Sequence, residues 1–445
     1  MFRRSILTSC LSLAGLISLS YLVGAAAIFF DLPTSPFLRQ AFVGAVNWYE
    51  HRGATPPPQE QLPPPTVGQF DKSGKADDGF TLCMYGSDSH AMLLNMRGEV
   101  VHQWHVPFSH IWPAPPHLHG RVEDALVNFC GGYLYPNGDL LAVLEGPVNL
   151  HNASHGYGLV KLDKDSHVLW KYAEKCHHDV DVADDGTIYT LVNELVDQMP
   201  PALGYIPTPC MVDFVDVISP EGQRKKRIPL LEAILSSPYS ALLCSLERSK
   251  MAGGTKSAGA WVPPFVDEER RRDVLHTNAV KVLNRNLASK FPLFKAGQLL
   301  ISLRQLDAIA VLDPDSSRIV WAAQGPWRAQ HDPTFLDNGH LLLFDNLGSP
   351  LGSRVLEYDP QTQAFPWRYP GETGKPFLSK IRGMSQRLPN GNTLIVNSEA
   401  GEAFEVTPDR EVVWSCSCGH TELYRGRRYT PEQLPFLRRD EYARP

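Results

Sequence analysis

From about residue 78 one unit recurs along this chain. An apolar strand ends in a turn carrying glycine with an acidic residue, asparagine or proline. A second apolar strand follows and, after a gap, two more short strands, the last often bearing tryptophan. YLYPNGDLLAVLE at 133–145 opens one copy, continued by GLVKLD and HVLWKY, and DVDVADDGTIYTLVNE at 179–194 opens the next. NAVKVLN, GQLLISLRQLDAIAVLD and RIVWAAQG share 278–325, PTFLDNGHLLLFDN fills 333–346, and SQRLPNGNTLIVNSEAGEAFEVTPDREVVWSC runs over 385–416. TLCMYGSDSHAMLLNMRGEVVHQWH at 81–105 is a partial unit without its first strand. Asn-Gly and Asp-Gly between apolar runs are hairpin signals. Hairpins repeating every roughly 40–55 residues mark a ring of four-stranded blades. Six units predict an all-β, six-bladed β-propeller of four-stranded antiparallel blades over residues 78–440. The missing strand predicts one blade shared between the two ends of the domain. Residues 230–275 read as an insertion over one face, helix-like at 230–246 and glycine-rich after that.

Ahead of the repeats, Arg3 and Arg4 precede an uncharged, mostly apolar stretch at 5–30. It is long enough to span a bilayer, and the arginines favour a cytoplasmic N-terminus. Residues 1–30 are therefore expected to form a signal-anchor or transmembrane helix, whether or not it is later cleaved. The repeat domain would then lie in the periplasm or extracytoplasmic space. Residues 31–77 read as a linker, and TPPPQEQLPPPT at 55–66 as an extended spacer. A net charge of −6 argues against a nucleic-acid binder. The basic run at 224–227 reads as a solvated loop. Eight cysteines, seven of them beyond the apolar stretch, leave pairing open, with Cys416 and Cys418 the nearest candidates for a disulfide.

In a propeller the innermost strands begin at the central channel. Eight residues before each turn glycine stand His178 (Gly186), His331 (Gly339), Cys130 (Gly138) and Gly383 (Gly391), while His276 opens the matching strand HTNAVKV. Seven residues after the glycines stand Arg304 (Gly297), Asn193 (Gly186), Asn346 (Gly339) and Glu145 (Gly138). Three histidines, an arginine and several amide or acidic groups are thus expected at one mouth of the channel. Converging titratable groups in a cavity describe a functional site. Neutral imidazole is a nucleophile near pH 7, and arginine matches oxyanions with a planar fork of donors. That combination suits sulfuryl or phosphoryl transfer through a covalent histidine. GGTKS at 253–257 and GETGKP at 371–376 both fail the phosphate-loop pattern, and there is no dinucleotide fingerprint and no nucleophile elbow. No nucleotide donor and no cofactor are expected.

Particular stretches resemble the bacterial arylsulfotransferase family. QHDPTFLDNGHLLLFDN at 330–346 is similar to the segment carrying that family's sulfated histidine, HTN at 276–278 to its H-x-N strand start, and SLR at 302–304 to the strand ending in its active-site arginine. HHD at 177–179 is similar to a further histidine position, and LYRGRRYTPEQLP at 423–435 to the family's tail. The resemblance implies that His331 carries the sulfuryl group, that His178, His276 and Arg304 hold the oxyanion and move protons, and that Asn278, Asn193 and Asn346 contact substrate. It implies a phenolic sulfate ester as donor and a phenol or other hydroxyl compound as acceptor. Asp332 and Pro333 follow His331 where the family often has a small hydroxyl residue and alanine. Strand alternation predicts that Asp332 points away from the site.

Two other functions fit the same ring: a non-catalytic binding scaffold, and a metal- or quinone-dependent oxidoreductase. His117 with His119, Cys176 with His177 and His178, and Cys416, Cys418 and His420 offer metal ligands, but none has a complete four-ligand spacing, so no metal is expected. Trp104, Trp170, Trp321, Trp367 and Trp414 read as packing residues.

Overall fold

The computed structural model describes residues 66–70, 74–86, 88–118, 122–147, 154–206, 208–246, 273–371, 376–417 and 422–437. Its strands form six antiparallel sheets in the predicted ring. The innermost strands are Leu423–Tyr429 in blade one, Asn128–Leu134 in blade two and Cys176–Val182 in blade three. Thr277–Val282, His331–Phe335 and Met384–Arg387 are innermost in blades four, five and six. Blade one takes its inner strand from the C-terminal end, where it pairs with Phe80–Tyr85, and this closes the ring as the truncated first unit predicted. Arg428 fastens the closure. Its Nε donates to Thr81 Oγ1 at 2.8 Å, and its Nη1 lies 3.3 Å from Glu405 Oε2 of blade six.

The second strand of each blade is apolar on both faces because it is sandwiched between neighbouring blades. Leu140–Glu145, Leu299–Leu303, Leu341–Asp345 and Thr393–Asn397 are buried throughout. The tryptophans seal the blades to one another. Trp104, Trp170 and Trp367 sit on outermost strands and Trp414 on the fourth strand of blade six, and their Nε1–H groups donate to Gly138, Pro220, Pro408 and Met96 carbonyls, each in a turn of the next blade, at 2.9–3.1 Å. A large apolar ring with one donor needs such a partner when buried. Trp321 packs its edge on Phe294 instead, 5.3 Å between centroids. Trp414 is fully buried. Trp414→Ala is expected to cost about 3–5 kcal/mol in denaturant unfolding, and Trp414→Phe, which loses the hydrogen bond but keeps most of the packing, about 1 kcal/mol.

Three differences from the sequence reading have local causes. The basic run 224–227, read as a solvated loop, lies in the outermost strand Arg224–Pro229 of blade three, where the buried Asp216 on the neighbouring strand pairs with Arg227 at 2.7 Å. Thr66–Phe70, inside the stretch read as linker, adds a fifth strand to blade six by pairing with Val412–Ser417. The proline run ends at Pro65, so the backbone N–H groups return there, and the outer edge of blade six offers unpaired groups to meet them. The helix-like stretch 230–246 is two pieces, Leu230–Leu235 and a 3-10 turn Ser240–Cys244. Pro238 between them disfavours a helical residue before it and lacks the N–H that continuation requires. The expected membrane helix over 1–30, the linker up to residue 65 and the insertion's 247–272 lie outside the described residues. Among the described residues no helix is long and apolar enough to cross a membrane.

Candidate active site

Four inner strands shift register close to the channel mouth. The shift falls between Phe129 and Gly131 in blade two, between Thr277 and Ala279 in blade four, and between His331 and Thr334 in blade five. In blade three it falls opposite Thr190 and Leu191, leaving His178 and Asp179 out of the ladder. The residues left out are therefore Cys130, His178 with Asp179, Asn278, and Asp332 with Pro333. A bulge bends its strand and re-aims a side chain. Here it does so at the same height around the ring. His178, His276, Ala329, Asp332 and Arg382 hold φ between 48° and 58°, a conformation that non-glycine residues seldom adopt. Such residues persist where the surrounding structure enforces them, and they cluster at functional sites. Gly131 permits the crowding, since a Cβ there would stand 2.4 Å from the His178 carbonyl oxygen.

The four positions found by counting back from turn glycines, Cys130, His178, His331 and Gly383, all line one cavity. Its wall also includes Glu145, Asn278, Asp332, Arg382, Tyr424 and Arg425, around about 350 Å³ of space not filled by atoms and partly open to solvent.

His331 is held in one orientation. Its Nδ1 is 2.7 Å from Asn346 Oδ1 and 3.0 Å from the Ala329 carbonyl. Asn346 cannot turn its amide, because Nδ2 donates to the Ser379 and Arg382 carbonyls at 2.8 and 2.7 Å. Both partners of Nδ1 are acceptors, so Nδ1 carries the proton and Nε2 the lone pair. The Arg382 N–H approaches Nε2 at 3.3 Å. Burial, followed by the charge of Arg304, holds the His331 pKa well below that of a free imidazole. His178 is likewise held well down, by burial first and then by His177, its Nδ1 lying 2.8 Å from that of His177 and 3.3 Å from Glu145 Oε1.

His276 stands against His178, ring centroids 5.0 Å apart, and its Nδ1 meets Asp273 Oδ2 at 2.6 Å. Arg304 opens a short turn behind the cavity, its N–H 3.3 Å from the His276 carbonyl. Burial lowers its pKa, and Asp273 opposes this. Asn278 reaches the wall, whereas Asn193 and Asn346 are turned to protein partners. Asn193 accepts from Ser154 Oγ at 2.5 Å, and Asn346 orients His331. Of the residues that end second strands, Glu145 reaches the wall, while Asn193, Asn346 and Arg304 stand behind it.

Asp332 does not point away. The bulge and its φ of 48° break strand alternation and bring its carboxylate to the cavity wall, where Oδ1 lies 3.1 Å from Arg425 Nη1 and 3.5 Å from Lys281 Nζ. Asp179 completes this lattice, with Oδ2 2.8 Å from Lys281 and Oδ1 3.0 Å from Arg425. Two carboxylates and two cations balance in charge beneath the histidines. Arg425 and Tyr424 escaped the sequence reading because register was counted from a turn glycine. The inner strand of blade one comes from the other chain end and has no such turn. Arg382, whose guanidinium lies 3.7 Å from the Tyr424 ring centroid, sits in an inter-blade loop outside the repeat register.

Among the described residues no group of three or more histidine, cysteine or acidic side chains is disposed to hold a metal ion. His119, Cys418 and His420 lie outside the described residues. His117 Nε2 is 2.9 Å from the Tyr157 carbonyl, and Cys176 and Cys416 are buried.

The arylsulfotransferase (ASST) family model matches residues 133–419, which hold His178, His276, Arg304 and His331. No curated protein matches the chain. Among solved structures, a protein of unknown function from Bacteroides caccae is 11% identical with a TM-score of 0.47, over 78% of this chain and 97% of that one. Virginiamycin B lyase from Staphylococcus aureus is 8% identical with a TM-score of 0.39, over 78% of this chain and 87% of that one. Both likenesses are too distant to bear on chemistry.

Proposed function

This chain belongs to the arylsulfotransferase family, and on that premise we propose that it moves a sulfuryl group from a phenolic sulfate ester to a hydroxyl acceptor through His331. What supports this reading is the fixed tautomer, in which Asn346 and the Ala329 carbonyl hold the proton on Nδ1 and the Nε2 lone pair lies at a cavity, approached by the long 3.3 Å hydrogen bond from the Arg382 N–H that sulfur must displace. In the first half-reaction Nε2 attacks sulfur, the bond from sulfur to the aryl oxygen breaks, and that oxygen leaves with the electron pair. In the second, an acceptor oxygen attacks sulfur, the nitrogen–sulfur bond breaks, its electron pair returns to Nε2, and the hydroxyl proton passes to a base. His276, its Nδ1 backed by the Asp273 carboxylate at 2.6 Å, exchanges a proton with the leaving aryl oxygen. Arg304 and the Arg382 N–H supply positive potential where the sulfuryl oxygens gather charge. The chemistry uses no nucleotide. We also propose that the apolar stretch at 5–30 tethers the ring to a membrane with the site on the extracytoplasmic side.

The test is turnover. Purified full-length chain is mixed with 4-nitrophenyl sulfate with and without phenol. Steady nitrophenolate release that requires phenol supports the reading, whereas silence across a panel of aryl sulfates leaves a binding propeller in its place.

The pH profile follows from the depressed imidazoles. A histidine whose pKa lies below 6.5 stays neutral, and so nucleophilic, as pH falls through that value. The first half-reaction is therefore expected to keep its rate between pH 8 and about 6 and to fall only in more acid solution. An inflection at the ordinary imidazole value in a stopped-flow profile would contradict this.

A further inference from the structure

Two residues that line the cavity each carry a buried oxygen atom without a donor. Asp332 is 3% exposed, and its Oδ2 has no hydrogen-bond partner. Asn278 is 2% exposed, and its Oδ1 has none either. They flank the nucleophile. Asn278 Nδ2 donates to the carbonyl of Gln330, the residue before His331, at 2.9 Å, and Asp332 is the residue after it. A buried acceptor without a donor costs about 1–3 kcal/mol, and a bulge with a left-handed residue keeps Asp332 in place against local preference.

A purely structural Asp332 would resemble Asp179, which uses both oxygens. Asp179 Oδ1 meets Lys281 and Arg425, each at 3.0 Å, and Oδ2 takes the Val280 N–H at 3.0 Å and Lys281 at 2.8 Å. Asp332 spends Oδ1 on the same two cations and leaves Oδ2 over. A sulfate ester brings only acceptor oxygens, so neither orphan atom is satisfied by the donor substrate, and the carboxylate repels its anion. A neutral compound with hydroxyl protons satisfies both.

We propose that Asp332 and Asn278 form the acceptor half of the site and select acceptors with two adjacent hydroxyl groups on an aromatic ring. This rests on the transfer reaction proposed above. The reacting hydroxyl donates to Asp332 Oδ2 and its neighbour to Asn278 Oδ1. As the acceptor oxygen bonds to sulfur and the nitrogen–sulfur electrons return to His331 Nε2, the hydroxyl proton passes to Asp332 Oδ2 and from there to solvent. Asp332 is then a catalytic residue of the second half-reaction.

The test compares catechol with 2-methoxyphenol, of similar shape but with one hydroxyl blocked, as acceptors for full-length chain charged from 4-nitrophenyl sulfate. A buried acceptor left unpaired predicts a kcat/KM ratio of about tenfold to a hundredfold in favour of catechol. In Asn278→Ala, which removes the acceptor facing the blocked position, the ratio is expected to collapse towards unity, whereas Asp332→Asn lowers transfer to both compounds. Equal use of both acceptors by the native chain overturns the proposal, as does a preference that survives in Asn278→Ala or native transfer rates in Asp332→Asn. If the native chain gives no nitrophenolate burst without acceptor, the transfer reading itself has failed, and calorimetric titration with the two compounds decides the subsite. Tighter binding of catechol that weakens in Asn278→Ala supports it, and equal binding overturns it.

Discussion

His331→Ala is expected to lose about 10³–10⁴-fold in nitrophenolate release while remaining a folded propeller. The substitution removes an imidazole whose Nδ1 is pinned by two acceptors and whose Nε2 is held, among the described residues, only by a long 3.3 Å bond from the Arg382 N–H. With it goes the covalent route, so no sulfuryl adduct should accumulate when acceptor is withheld. Folding survives because the loss is local. Asn346 Oδ1 is left without its donor, worth about 1–3 kcal/mol, but Asn346 keeps its bonds to the Ser379 and Arg382 carbonyls. Added imidazole is expected to recover part of the release, since a small nucleophile fits the space vacated. A mutant that retains a tenth or more of native release would remove His331 from the mechanism.

Arg425→Ala should produce the largest loss of stability from one side chain at the site, about 3–5 kcal/mol. Arg425, its side chain 14% exposed, packs against the buried Asp179 and Asp332, and its Nη2 also donates to the His178 carbonyl at 2.9 Å. Deleting it leaves the two buried carboxylates with Lys281 as their remaining direct ion-pair partner among the described residues. The pH dependence identifies the cause. In the native chain burial pushes the Asp179 carboxyl up, but Arg425 and then Lys281 outweigh it and hold the pKa below the usual range. That contribution to stability is present above the unfolded value near 4 and is lost as pH falls through the depressed one. Without Arg425, burial dominates and the carboxyl prefers its proton. The deficit of Arg425→Ala, read from urea midpoints, should therefore shrink between pH 7 and pH 4.5. A deficit constant with pH would mean that packing rather than charge accounts for it.

The ring and most of the site were legible because repetition ties sequence to position. Gly186, Gly339, Gly138 and Gly391 mark equivalent turns, so residues at a fixed offset occupy equivalent heights on different blades. His178, His331, Cys130 and Gly383 do meet at one cavity. What repetition did not convey is what departs from it. The Asp332 side chain turned inwards because a bulge broke the period of two on which the outward reading relied. Arg425 comes from the far end of the chain, where no turn glycine sets the count. Thr66–Phe70 joined a sheet through backbone pairing that five residues after a proline run do not announce. Asn346 was placed beside the site by its offset, but its role, orienting His331 rather than touching substrate, depended on hydrogen-bond directions that only coordinates supply.

The most direct test of the account charges full-length chain with 4-nitrophenyl sulfate in the absence of acceptor, quenches under alkaline conditions and maps the modified peptide by mass spectrometry. One sulfuryl group on His331, discharged when a phenol is added before the quench, is the expected result. An adduct on another residue of the cavity, such as His178 or Cys130, or release of nitrophenolate with no adduct at all, would contradict it.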